Sequence, residues 1–268
     1  MMTKKLIAID LDGTTLNSHS LISPRTASVL KKATAAGHYV SIATGRPYRM
    51  SAQFYQQLQL ETPMVTFNGA LVHKPNMVWP YERELSIQKE IAFEILAQKE
   101  KLQLEFVAAE NRETFFIDRL DNFEGEFFAT EKITEANLFK NLTSNPTSLL
   151  VKTQKEVSSL VSASLISQFK DSVDVRTWGG PNAILEIVPK GVQKAMALSI
   201  VAHSLDVQSK NIIAFGDEHN DLELLDYAGW GVAMQNATNQ LKAVANDVTP
   251  KTNDEDGLAD YLEEFLAL

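Results

Sequence analysis

Short apolar runs alternate with amphipathic helical patterns over the first 80 residues, and that alternation leaves the chain few architectures. Residues 6–9, Leu-Ile-Ala-Ile, form a run of strand length between Lys5 and Asp10. Ser23-Pro24 then offers an N-cap and a first helical residue. Ala27, Leu30 and Ala33 recur at helical spacing, and Gly37 is a C-terminal stop. Residues 39–43 read as a second strand. Pro47 opens a second helix with Met50, Phe54 and Leu58 on one face, and residues 64–67 read as a third strand. Strand, helix, strand, helix, strand predicts a parallel sheet with right-handed crossovers.

The middle of the chain breaks that rhythm. A helix is expected over 87–102, strands over 104–108 and 114–117 joined at Asn111, and a strand over 148–151. A helix over 157–169 and a strand pair, 173–178 and 183–188, around Gly179-Gly180-Pro181 complete it. From Gly191 the alternation resumes: helix 192–205, strand 211–215, helix 221–227, strand 231–234, a helix capped by Asn236 and running to Val244, and a last helix 257–266. The turn-rich Trp79-Pro80-Tyr81 and Pro189-Lys190-Gly191 mark the boundaries. The expectation is an α/β protein whose parallel-sheet core, residues 1–82 plus 187–268, is split by an inserted α+β domain, residues 83–186.

A chain of 268 residues with 44% hydrophobic and 22% charged residues can build ordinary cores. The absence of cysteine removes disulfides, thiolate metal sites and cysteine nucleophiles. The net charge of −9 argues against broad nucleic-acid or anionic-membrane binding. Residues 6–9 fall short of the about 7–15 apolar residues of a signal peptide and the about 20 of a membrane helix. A cytoplasmic protein is therefore expected. Oligomeric state is not readable.

Polar residues gather where the core strands end, and in open α/β sheets ligands bind at those carboxyl ends. Strand one runs into Asp10-Leu11-Asp12-Gly13-Thr14, strand two into Thr44-Gly45-Arg46 and strand three into Asn68-Gly69. The strand after the insertion runs into Gly216-Asp217-Glu218-His219-Asn220-Asp221. Asp10 and Asp12, two apart, point the same way if the strand continues through them. Two such carboxylates, with Asp217, call for a hard cation, and an all-oxygen donor set suits Mg²⁺; alone, Asp-x-Asp-Gly is as often a turn. Thr44-Gly45 before a helix start suits an anion; alone, it is more often an ordinary loop with a Thr cap. Arg46 suits either a substrate contact or a structural ion pair. Lys194, in a first helical turn, reads as an exposed residue or an anion ligand, with Lys190 as competitor. His219 is a loop base or a solvent-facing side chain. His19, His38, His73 and His203 lack metal spacing, and neither a Gly-x-Gly-x-x-Gly nor a Walker loop is present.

Asp10-Leu11-Asp12-Gly13-Thr14 together with Gly216-Asp217-Glu218-His219-Asn220-Asp221 resembles the haloacid dehalogenase (HAD) superfamily of phosphohydrolases. Its Cof-type branch, with an inserted C2-type cap, is matched by Ala43-Thr44-Gly45-Arg46, Phe67-Asn68-Gly69-Ala70 and Pro189-Lys190-Gly191-Val192-Gln193-Lys194. Gly231-Val232-Ala233-Met234-Gln235-Asn236-Ala237 and Thr252-Asn253-Asp254-Glu255-Asp256-Gly257 match it too. Leu225 and Gln193 depart from common family residues, and the middle of the chain matches only in length and pattern. The resemblance implies a Rossmann-like core and a Mg²⁺-dependent phosphatase of small phosphate esters, with sugar phosphates first among them. It implies Asp10 as nucleophile, Asp12 as acid and base, and Mg²⁺ held by Asp10, the Asp12 main-chain carbonyl and Asp217. Leu11, Thr44, Gly45, Lys194 and Asn220 would bind the phosphoryl oxygens, with Asp221 behind them. The alternatives are a phosphotransferase or phosphomutase sharing the aspartyl-phosphate, and a non-catalytic binding protein, which would be expected to lose the carboxylates present here.

Overall fold

The computed structural model describes residues 4–112, 114–119, 134–135, 137–177 and 183–268. The expected turn at Gly179-Gly180-Pro181, and Trp178 before it, lie outside the described residues. Two compact units are distinct: residues 1–46, 51–83 and 193–268 form one, and residues 47–50 with 84–192 form the other.

In the first unit, β1 (Leu6–Ile9) leads through a tight turn to α1 (Pro24–Ala35). Ser23 caps α1 by accepting the Thr26 amide at 3.0 Å, and Ala27, Leu30 and Ala33 are buried beneath it as their spacing requires. β2 (Tyr39–Ile42), α2 (Tyr48–Gln57, of which residues 48–50 are assigned to the second unit), β3 (Met64–Thr66) and β4 (Leu71–His73) follow, and β5 (Arg83–Glu84), where the chain passes from the first unit to the second, closes a small sheet of order β3-β4-β5. β3 attaches to β2 through a parallel bridge, Ala43 to Val65, and then turns back as an antiparallel hairpin with β4. The expected third parallel strand is thus a short bridge and a hairpin.

The second unit contains α3 (Lys89–Ala97), β6 (Leu104–Glu110), β7 (Phe115–Ile117), β8 (Thr134–Glu135), α4 (Leu138–Asn141), β9 (Ser148–Thr153), α5 (Ser158–Phe169), β10 (Val173–Thr177) and β11 (Ile184–Pro189). Its six strands run β10-β11-β9-β6-β7-β8, antiparallel except for β7 with β8. Alternate residues sort to opposite faces: Leu149 and Val151 pack with α3 and α5, whereas Leu150 packs with Phe106 and Ile184.

The chain returns to the first unit with α6 (Lys194–Ser204), β12 (Ile212–Gly216), α7 (Leu222–Tyr227), β13 (Trp230–Ala233), α8 (Asn239–Val244), β14 (Asp247–Val248) and α9 (Gly257–Leu266). α8 is capped by Thr238, whose hydroxyl accepts the Leu241 amide at 3.3 Å, and not by Asn236. The main sheet runs β14-β13-β12-β1-β2, parallel throughout. All four side chains of β1 are fully buried, as a strand covered on both faces requires. From β1 the chain steps to β2 on one side and later returns to β12 on the other. That reversal opens a crevice beyond the carboxyl end of β1.

Candidate active site

Asp10 is the first residue beyond β1, and its amide still bonds to Phe215 O at 3.2 Å. The strand then stops. Leu11–Thr15 form a turn closed by Leu16 N to Leu11 O at 2.8 Å, with Gly13 at φ 66°. A Cβ on Gly13 would lie 2.2 Å from Asp217 Oδ2, so the position excludes side chains on two counts. Thr14 Oγ1 donates to Asp217 Oδ1 at 2.8 Å, and Thr15 Oγ1 to Asp10 O at 2.5 Å.

Lys194, the first residue of α6, is 1% exposed. Its Nζ lies 2.9 Å from Asp10 Oδ1 and 2.7 Å from Asp221 Oδ1. These carboxylates outweigh both the helix dipole and burial, and hold the ammonium pKa above its ordinary range. Asp221 Oδ2 accepts the amides of Asp217 and Glu218 at 3.1 and 3.2 Å. Carboxylate oxygens of Asp10, Asp217 and Asp221 lie within 4.8 Å of one another. Burial pushes the Asp10 carboxyl well above its ordinary pKa, against the pull of Lys194, with Asp221, Asp217 and Asp12 adding repulsion. Burial, then Asp221, pushes Asp217 up to about 7, with the Thr14 hydroxyl opposing. Among the described residues, three carboxylates against one ammonium leave the cluster short of positive charge. Both oxygens of Asp221 are engaged, so Asp10 and Asp217 are the pair fitted to a hard divalent cation.

Asp12 stands apart. Because the strand ends at Ile9, the rule that residues two apart point the same way does not reach it. Its carboxylate lies outside the acidic cluster, 58% exposed, and receives a two-pronged bond from Arg46: Nε to Oδ2 at 2.7 Å and Nη2 to Oδ1 at 2.5 Å. Arg46, readable two ways in the sequence, makes an ion pair.

The remaining strand ends close a ring. Buried Thr44 accepts the Arg46 amide on Oγ1 at 3.1 Å, and its carbonyl accepts the Asn68 amide at 3.1 Å. Asn220 Nδ2 donates to Asn68 Oδ1 at 2.9 Å. A Cβ on Gly45 would come within 3.0 Å of that same oxygen. Phe67, Asn68 and Gly69 all take positive φ, a strained run that aims the Asn68 amide at this junction. The sequence places Asn68 among the strand ends at this edge but assigns it no role; the structure makes it the residue that joins Thr44 to Asn220. Leu11 is buried beside Asp10. His219 is 64% exposed and faces Glu218 at 3.4 Å, while Lys190 pairs with Asp174 at 2.5 Å in the other unit. Asn236 ties the site turn in place, donating to Gly13 O at 2.7 Å and accepting the Asn253 amide at 3.0 Å.

A sequence profile of haloacid dehalogenase-like hydrolases matches residues 7–262. The 5-amino-6-(5-phospho-D-ribitylamino)uracil phosphatase YitU of Bacillus subtilis is 37% identical over 98% of both chains. A second Bacillus subtilis phosphatase named for the same compound, YcsE, is 28% identical over 98% of this chain and 96% of its own. The crystal structure of a haloacid dehalogenase-like hydrolase from Bacteroides thetaiotaomicron superposes with a TM-score of 0.88 at 27% identity, covering 98% of this chain and all of its own.

Proposed function

The chain belongs to the haloacid dehalogenase-like hydrolases, and from that premise we propose that it is a Mg²⁺-dependent phosphatase. It hydrolyses small phosphorylated metabolites, sugar or sugar-alcohol phosphates among them, through an aspartyl-phosphate at Asp10. The observation that carries this reading is a buried carboxylate at the switch point of the sheet, held by Lys194 and faced by Asp217. The names of two full-length relatives favour a phosphate on an open-chain polyol.

Asp10 attacks phosphorus as the bond to the leaving oxygen breaks. Asp12 gives its proton to that oxygen and then takes one from the water that cleaves the aspartyl-phosphate. Lys194, the amides of Leu11 and Gly45, the Thr44 hydroxyl and the Asn220 amide hold the phosphoryl oxygens, and Asp221 keeps Lys194 in place. Asp10, Asp217 and the Asp12 carbonyl would hold Mg²⁺, which would supply the positive charge that offsets the repulsion between carboxylate and phosphate dianion. Residues 83–186 serve as a domain that selects the leaving group and excludes water.

The test is phosphate release from a panel of sugar and polyol phosphates, including 5-amino-6-(5-phospho-D-ribitylamino)uracil. It is run with Mg²⁺, with chelator, and with Asp10→Asn. Mg²⁺-dependent release that vanishes in Asp10→Asn is expected. Full activity in chelator after dialysis, or in Asp10→Asn, would overturn the metal or the nucleophile respectively.

A further inference from the structure

Arg46 has no task in the mechanism above, yet it is built as a fixed arm. Its amide is bonded to Thr44 Oγ1 at 3.1 Å, its carbonyl accepts the Phe67 amide at 3.1 Å, and its guanidinium lies 5.6 Å from the centre of the Phe54 ring. Only the tip is committed to charge, and both prongs go to Asp12. The backbone on the Asp12 side is pinned as well, because Gly13 O accepts from Asn236 Nδ2. What stays adjustable is the exposed Asp12 side chain, and a planar fork on two oxygens fixes its orientation as a point charge would not.

We propose that Arg46 is a positioning residue for Asp12, holding its carboxylate oriented to receive the proton of the hydrolytic water. The proposal rests on the phosphatase reading. In the first step the Asp10–phosphorus bond forms, the bond to the leaving oxygen breaks, and the Asp12 proton moves to that oxygen. Asp12 is then a carboxylate, the form that the Arg46 fork holds. In the second step water oxygen bonds to phosphorus, the Asp10–phosphorus bond breaks, and the water proton goes to Asp12. Arg46 therefore serves the second step. A phosphate-binding arginine would instead serve substrate capture.

The two roles move the kinetic constants in opposite directions. With p-nitrophenyl phosphate, whose leaving group needs no proton, a slow second step lowers kcat and KM together and leaves kcat/KM in place. Arg46→Gln is expected to lower both by about 10–100-fold, with kcat/KM within about 3-fold of wild type. It should also release a burst of about one p-nitrophenolate per enzyme and trap phosphoenzyme on acid quench. In an Asp12→Asn background the same change should cost no more than about 3-fold, because the residue it acts through is gone. Arg46→Lys should recover part of the loss, and unchanged cooperative melting will show that the variants are folded. A raised KM with lowered kcat/KM and no burst would place Arg46 on the substrate phosphate and overturn the proposal. Losses that multiply in the double variant would overturn it also. Wild-type protein that releases no phosphate from any ester would remove the phosphatase reading itself, a distinct result.

Discussion

Replacing Lys194 by methionine keeps most of the side-chain volume and deletes the ammonium that contacts both Asp10 and Asp221. The lysine is 1% exposed and bridges the two carboxylates at 2.9 and 2.7 Å. Removing one partner of a buried ion pair costs about 3–5 kcal/mol. At about 2–4 °C per kcal/mol, typical near this size, Lys194→Met should melt about 6–20 °C below wild type in chelator. The deficit must depend on pH with a definite sign. Burial already holds the Asp10 pKa above its ordinary value, and loss of Lys194 raises it further. A raised folded-state pKa stabilises below the unfolded-state value and loses that contribution as pH rises through the folded one. The gap between variant and wild type should therefore be wider at about pH 8 than at about pH 5. Adding Asp221→Asn should narrow it by removing one uncompensated charge. The assay is thermal unfolding followed by circular dichroism, on chelated wild type and both variants at the two pH values. A single variant melting within about 2 °C of wild type at about pH 8 would refute the reasoning.

The Asp217 carboxyl, pushed up to about 7 by burial and Asp221, favours the metal-free fold below about pH 4, a contribution lost as pH rises through about 7. The melting gain on adding Mg²⁺ to chelated protein should therefore grow from about pH 5 to about pH 8, and a flat or shrinking gain would remove Asp217 from the cation site. Gly13→Ala places a methyl against Asp217 and should weaken Mg²⁺ binding at least about 10-fold by calorimetry. Gly37→Ala is its control: φ is also positive but nothing lies within 4 Å, so only a stability loss of about 1–2 kcal/mol is expected. Ser23→Ala removes the α1 cap and a bond to Asp256. It should cost about 0.5–2 kcal/mol in urea unfolding and leave turnover unchanged.

The elements legible in the sequence are those whose pattern has one explanation. β1 is a four-residue apolar run stopped by charges, and α1 carries a cap and an apolar stripe that the structure reproduces, while the last helix was legible in its extent as α9. β3 was legible as a strand and runs parallel to β2 as expected, but its return through β4 was not legible. Leu71–His73 is too short to announce a hairpin, and only the pairing of Met64 with His73 shows that the chain turns back. Asn236 has the composition of a helix cap, and Thr238 is as good. The choice is made by tertiary bonds from Asn236 to Gly13 and Asn253, which local sequence does not encode.

The site was legible in its backbone and less so in its side chains. A parallel sheet delivers whatever follows its strands to one edge, so Asp10, Thr44, Asn68 and Asp217 follow from strand order alone. Where each carboxylate then points depends on the turn beyond the strand. Asp12 sits one residue before a glycine with positive φ, and that bend takes its side chain out of the acidic cluster and onto Arg46. Lys194 poses the opposite problem. Nothing local distinguishes it from an exposed lysine at a helix start, where the dipole disfavours it. Its meaning comes from two acids, 184 and 27 residues away in sequence, that surround it. A buried ammonium needs negative partners, and three carboxylates crowded together need more positive charge than that one ammonium supplies. The lysine and the cation are thus two parts of one balance. Removing either should raise the protein's dependence on the other, which the Lys194→Met and chelation experiments measure together.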